Sequence, residues 1–145
     1  MIRTVAPEQT WLLRRDALRP GKPLPSELDP RDTVRDACHL GWFEGERMVG
    51  VGTISRHPLP LDPAAIAWFV RGMSVVEGER SRGIGGEILE ALIAHAAKHD
   101  PGGIAWCHAR LLAERFYRRH GFELLDRIDL PEKGLRLRMA RPLTR

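Results

Sequence analysis

The chain has no apolar run approaching the roughly 18 residues that a membrane-crossing helix needs, so a membrane-embedded protein is not expected. Its opening, MIRTVAPEQTW, lacks the hydrophobic core of a secretory signal peptide, which points to a soluble, cytoplasmic protein. Cysteine is scarce. Cys38 and Cys107 follow no recognisable spacing, which argues against a disulfide framework or a zinc site, and no metal is expected. Charge of one sign is not concentrated either: the formal net charge of +4 is carried by arginines scattered as Arg14/Arg15, Arg80/Arg82, Arg118/Arg119 and Arg136, Arg138, Arg141. No basic arm and no base-reading motif accompanies them, so an anionic cofactor explains the excess better than nucleic acid does. Internal repeats and low-complexity tracts are also missing.

What is present suffices for a core. A length of 145 residues with 43% hydrophobic content predicts one domain spanning residues 1–145. The chain is organised around the stretch from Trp68 to His99. Trp68 to Val76 is a mostly apolar run suited to a central strand. Glu77 to Arg82 is a polar turn, Gly83, Gly85 and Gly86 cluster, and apolar residues recur at Ile84, Ile88, Leu89, Leu92, Ile93 and Ala96 as a helical stripe. A strand, a glycine-rich turn and a helix start make an anion cradle, because the first N–H groups of a helix lack intrahelical partners and carry the positive end of its dipole. Gly83 and Gly85 would let a pyrophosphate approach the backbone, and Arg80 and Arg82 add positive charge. The plainer alternative is a tight turn against the sheet with solvated arginines.

In chain order, Ile2 to Val5 reads as a first strand, and Pro7 opens a helix whose partial apolar face is Trp11, Leu12, Arg15 and Leu18. RPGKPLPSELDPRD breaks regular structure. Cys38 to Phe43 and Met48 to Arg56 predict two strands joined by the polar hairpin Glu44-Gly45-Glu46-Arg47, with Gly50 and Gly52 marking a bulge or close packing. The central strand, Ala65 to Val76, follows a proline-rich loop. Asp100-Pro101-Gly102-Gly103 ends the long helix, Ile104 to Cys107 is a buried strand, and Ala109 to Arg119 reads as a helix with Leu111, Leu112 and Phe116 inward and Gly121 as its cap. Phe122 to Leu130 and Leu135 to Ala140 predict a closing hairpin.

The glycine spacing excludes GxxxxGK[ST] and GxGxxG. It does give Arg80-x-x-Gly83-x-Gly85 directly after a strand, and later Ala113-x-x-x-Tyr117-x-x-x-Gly121-Phe122. Together these resemble the acyl-CoA-binding signature and later helix of the GCN5-related N-acetyltransferase (GNAT) superfamily, over roughly residues 1–141 and most strongly 71–122. Leu18 to Gly21, Arg71-Gly72-Met73 and Phe116 to Phe122 are similar to a small single-domain group within it. The resemblance implies an α/β (α+β) fold, the acyl-CoA N-acyltransferase fold, with a mixed central sheet of about seven strands flanked by helices and a splayed cofactor cleft. It implies an enzyme that transfers acetyl from acetyl-CoA to a primary amine of a small molecule or peptide by direct attack on the thioester. A non-catalytic acyl-CoA sensor is the alternative, and a homodimer is left open. Residues 19–36 become a candidate acceptor-specificity loop.

Site residues follow from the same resemblance. Backbone groups near Met73, Ser74 and Val75 would pair with pantetheine as though it were another strand. Arg80, Ser81, Arg82, Gly83, Ile84, Gly85 and Gly86 would surround the pyrophosphate. Tyr117, the chain's one tyrosine, matches the residue that points toward the CoA sulfur and often acts as general acid. Phe69 stands where some members carry a basic Glu, so His57, His108 and Glu44 are the remaining candidate bases. Arg110 replaces a common Asn and is a candidate for phosphate or an anionic acceptor. Arg71 could bind an acceptor carboxylate bidentately, with Ser74 beside both ligands. Cys107 and His108, adjacent on a strand, point to opposite faces and are no catalytic pair.

Overall fold

The computed structural model describes residues 1–145. Seven strands form one sheet: β1 (Ile2–Thr4), β2 (Cys38–Glu44), β3 (Arg47–Arg56), β4 (Ala67–Val75), β5 (Ile104–Ala109), β6 (Glu123–Leu130) and β7 (Gly134–Pro142). Their order is β1-β2-β3-β4-β5-β7-β6. All neighbours are antiparallel except β4 and β5, which run parallel through the crossover helix α2 (Ile84–His99). The remaining helices are α1 (Trp11–Leu18) and α3 (Glu114–Arg119).

The apolar stripe of α2 drives the main core. Ile88, Leu89, Leu92 and Ala96 are fully buried with Val49, Ile54, Trp68, Ala105 and Met139 on the covered face of the sheet. Gly50 and Gly52 permit this approach: a Cβ at Gly50 would stand 3.0 Å from Ile88, and one at Gly52 would stand 3.0 Å from Leu92. Both expected roles of that pair occur, since the β3–β4 register also shifts between Val51 and Thr53. The opposite face carries a smaller cluster, Leu59, Ala67, Phe69 and Trp106.

On that second face α1 differs from its expected pattern. Pro7–Thr10 is a 3-10 turn, Leu12 is exposed, and the buried residues are Thr10 and Arg14. Arg14 donates from Nε to the Gly72 carbonyl (2.9 Å), from one terminal nitrogen to Thr10 Oγ1 (2.9 Å) and from the other to Thr53 Oγ1 (2.6 Å). Gly72 has φ +65°, and a Cβ there would collide with the Arg14 guanidinium. This bulge changes the alternation of β4, so that Val70 and Met73, three residues apart, both pack toward α2.

Several boundaries depart from the sequence expectation. β5 continues to Ala109, and the expected helix Ala109–Arg119 is divided: Arg110 is extended, Leu111–Ala113 is a 3-10 turn, and α3 begins at Glu114. Leu111 and Leu112 consequently face solvent, while Tyr117 is buried and Phe116 partly so. The apolarity of the two leucines suggested a helical phase that the extended Arg110 displaces. β7 runs on to Pro142.

The feature that positions the site is a split in the sheet. Partners between β4 and β5 run only from Ala67↔Ile104 to Val70↔Cys107, after which β4 continues to Val75 without β5 beside it. The gap opens toward the start of α2 and toward α3.

Candidate active site

The split opens into a cleft of about 570 Å³, lined by Met73, Ser74 and Val75 of β4, by the turn from Glu79 into α2, and by α3. Its floor is a strand edge that has lost its neighbour. Its far wall is the helix start, where Gly83 caps α2 with φ +79° and no side-chain hydrogen bond, so the first N–H groups of the helix remain available. The first i→i−4 bond of α2 runs from Glu87 N–H to the Gly83 carbonyl. A Cβ at Gly83 would meet no protein atom within 4 Å, which leaves the space before those N–H groups open. A pyrophosphate suits this geometry, and the extended edge beyond Val70 suits an amide-bearing arm.

The structure brings most of the expected cofactor residues together. Met73, Ser74, Val75, Arg80, Ser81, Gly83, Ile84, Gly85, Gly86 and Tyr117 all line the cleft. Arg80 is tethered by its Nε to the Val75 carbonyl (3.1 Å) at the cleft mouth. Arg82 is not brought in: its guanidinium binds Glu79 and Glu44, the latter at 2.9 Å, and stands 5.7 Å from the Trp42 ring. Arg110 reaches instead to the Leu18 carbonyl at the end of α1 (3.3 Å). Glu79, Arg119 and His120 also line the cleft and were not anticipated. The last two lie three and four residues after Phe116, a spacing that would have indicated them once α3 was correctly phased.

Tyr117 sits between the edges of Phe116 and Phe122, with ring centroids at 5.1 Å and 5.3 Å. Its hydroxyl makes no hydrogen bond within the protein and opens on the cleft. Burial, aided by the neighbouring Cys107, pushes its pKa well above the ordinary phenol value, so it remains an O–H donor. Cys107 is itself buried, and burial raises its thiol pKa, which removes the thiolate a nucleophile needs.

The candidate bases separate. Glu44 lies in the β2–β3 hairpin bound to Arg82, away from the end of the split. His57 and His108 lie together on the α1 face of the sheet, flanking Phe69 and Trp106: His108 is 5.3 Å from Phe69 and 5.2 Å from Trp106, and His57 is 5.8 Å and 6.1 Å from the same rings. His108 directly follows Cys107, the last paired residue of the split. Burial first, then the charges of Arg138, Lys133, Arg31 and Arg136, push its pKa down to about 4. At neutral pH it is an uncharged imidazole and a weak base.

Arg71, the other residue at that point, is not free of carboxylates as the local sequence suggests. The loop before β2 folds over the sheet and places Asp32 against one terminal nitrogen of Arg71, with Asp29 at 3.8 Å. Asp29 also holds Arg31, which lies 5.6 Å from the Phe69 ring. The Arg71 Nε, buried, has no partner.

Comparison with known proteins agrees with this geometry. The profile of the Acetyltransferase (GNAT) family matches residues 8–122. The chain is 30% identical to an uncharacterized N-acetyltransferase of Bacillus subtilis, YitI, over 98% of this chain and 95% of that one. Among solved structures, Escherichia coli ElaA superimposes with a TM-score of 0.76 at 18% identity, covering 97% of this chain and 99% of that one. Arabidopsis thaliana Naa50, solved with the bisubstrate analogue CoA-Ac-MVNAL, gives 0.71 at 17% identity over 97% of each chain. The mixed, split seven-stranded sheet is therefore an acyl-CoA N-acyltransferase fold, and the chain belongs to the GNAT family of acetyltransferases.

Proposed function

We propose that this acyltransferase uses acetyl-CoA as donor and acetylates a primary amine of a small molecule or peptide by direct attack on the thioester. The observation that carries the reading is the unpartnered Tyr117 hydroxyl, which opens on the same cleft as the phosphate-compatible start of α2. A sensor that only bound the acyl donor would have no use for a buried donor held in a protonated state at that place.

Acetyl-CoA supplies an activated acetyl group. The chain's own contributions are positional and electrostatic. The N–H groups at the start of α2, with Arg80 and Ser81, neutralise the phosphates, and the free edge at Met73, Ser74 and Val75 aligns the pantetheine arm. Tyr117 donates its proton, or a hydrogen bond, to the departing sulfur. His57 and His108 stand on the other face of the sheet, where an amine would enter, and accept its proton directly or through water. Arg82 links the β2–β3 hairpin to the turn through Glu44 and Glu79.

The experiment is a screen of amines with acetyl-CoA, read as released CoA thiol and as acetylated product. At least one amine should release CoA far above the rate without acceptor. Tight binding of acetyl-CoA with no release across amino acids, polyamines, aminoglycosides and short peptides would favour the sensor.

A further inference from the structure

Where β4 and β5 part, the α1 face of the sheet carries more positive charge than the protein itself neutralises. Arg31, Arg71 and Arg138 each have a carboxylate: Asp29, Asp32 and Asp126 respectively. Arg19, Arg110, Lys133 and Arg136 have none within 4.0 Å. Arg110 and Arg136 satisfy donors only on backbone carbonyls, those of Leu18, Lys133 and Leu135.

Topology gathers these residues. Arg110 follows β5 and reaches the end of α1, next to Arg19. Arg136 lies on β7 two residues from Arg138, which pairs across the sheet with His108. Lys133 lies in the β6–β7 turn, and its ammonium pKa is lowered by burial and then by Arg31, Arg19, Arg136 and Arg71, with no carboxylate among its charged neighbours. The charges of Lys133 in that turn and of Arg31 in the loop before β2 both act on His108. Beneath them the Arg71 Nε is a buried donor with no acceptor. That nitrogen is closed off from solvent, and the charge left for an anionic occupant is that of Lys133, Arg136, Arg110 and Arg19 around it, which have no carboxylate partners.

We propose that the acceptor is a small amine that also carries an anionic group, carboxylate or phosphate, held by Arg71, Lys133 and Arg136 so that its amine lies beside His108 at the end of the split. This rests on the acetyltransferase reading above and narrows its substrate. The anion offsets the cations that, after burial, depress His108, so binding of the correct acceptor also strengthens the neighbouring base. An amine lacking the anion would enter a cationic site as an ammonium ion and be repelled.

The test pairs equilibrium binding with turnover. L-Glutamate, L-methionine, L-phenylalanine and phosphoethanolamine are compared with the corresponding amino-acid amides and with spermidine, first by calorimetry on the CoA-loaded protein and then by CoA release from acetyl-CoA. At least one anionic amine should bind, and its kcat/KM should exceed that of its uncharged or cationic counterpart by tenfold or more; the amino acids and phosphoethanolamine distinguish carboxylate from phosphate. In Lys133→Gln/Arg136→Gln, that advantage should fall 10- to 100-fold through KM, with acetyl-CoA affinity unchanged. Preference for spermidine or the amides would overturn the proposal while leaving acetyl transfer intact. Absence of anionic-amine binding to the CoA-loaded protein would overturn it without reference to turnover. Anionic-amine binding that the double variant abolishes, with no CoA release from any amine, would support the anion site and count against catalysis.

Discussion

At the scale of single residues, the chemistry depends on what burial does to two groups on the same face of the sheet. Cys107 and Tyr117 lie on the α2 face, and both are held in their protonated forms by burial. For Cys107 this argues against a covalent acyl-enzyme. For Tyr117 it preserves a donor where negative charge would develop on sulfur, and a donor used only in the transition state affects kcat more than binding. Tyr117→Phe retains the ring and its edge contacts with Phe116 and Phe122. It should lower kcat roughly 10- to 1000-fold and leave acetyl-CoA affinity nearly unchanged, as measured by steady-state rates beside calorimetry. Full kcat in the folded variant, with chemistry shown to be rate-limiting, would remove Tyr117 as the proton donor. The Tyr117 motif was legible in the sequence because its spacing to Ala113 and to Gly121-Phe122 resembles the later helix of the superfamily. The carboxylate partner of Arg71 was not, since Asp32 lies 39 residues away and is delivered only by folding of the loop.

At the scale of elements, the β4 bulge depends on α1. Arg14 is charged, stands beside the equally charged Arg15, and looks in sequence like surface, yet it is buried and satisfies the Gly72 carbonyl and two threonine hydroxyls. Arg14→Leu leaves those acceptors without a donor and should destabilise the protein by about 2–4 kcal/mol, given the usual worth of charged hydrogen bonds. The thermal midpoint should fall by roughly 5–15 °C. Thr53→Val removes one of the three Arg14 contacts together with the 2.8 Å bond between Thr53 and His39 and should also destabilise the protein; no loss in Arg14→Leu would show that Arg14 is not what fixes the bulge. The elements were legible in proportion to how locally their signal is written. The stripe of α2 faces a single core, so its 3.6-residue period predicted both limits and buried side. Leu111 and Leu112 carry the same apolar signal on a 3-10 turn in solvent, and only the packing of Tyr117 fixes the phase of α3.

At the scale of the whole molecule, two kinds of group link the fold to pH. His108, buried and surrounded by cations, has a folded pKa near 4, and His39 is lowered by burial. The unfolded chain protonates both below about pH 6.5, so their contribution is fully present above that value; that of His108 declines toward pH 4, and that of His39 declines in the same direction. Asp29 and Asp126 have folded pKa values below the ordinary carboxylate range because Arg31 and Arg138 hydrogen-bond them, so their contribution persists to roughly pH 4 and is lost below it. The thermal midpoint should therefore fall in two stages on acidification, and His108→Asn should flatten the first; a wild-type midpoint constant between about pH 6.5 and 4.5 would contradict the assignment. The succession of elements along the chain was readable from alternating strand, turn and helix signals, whereas the placing of β7 between β5 and β6 has no local signal. The split between β4 and β5 was available only through family resemblance, since no local residue pattern states where two paired strands must part. That split, closed at one end by the start of α2, is the centre of the account, and acetyl-CoA titration of the wild-type protein and Gly83→Val by calorimetry tests it most directly. At φ +79° with no protein atom near its Cβ, the new side chain would occupy the cleft itself. One acetyl-CoA should bind per chain, and the folded variant should bind it at least tenfold more weakly, as expected for an intrusion costing about 1–3 kcal/mol; equal affinity in both proteins would place the donor elsewhere.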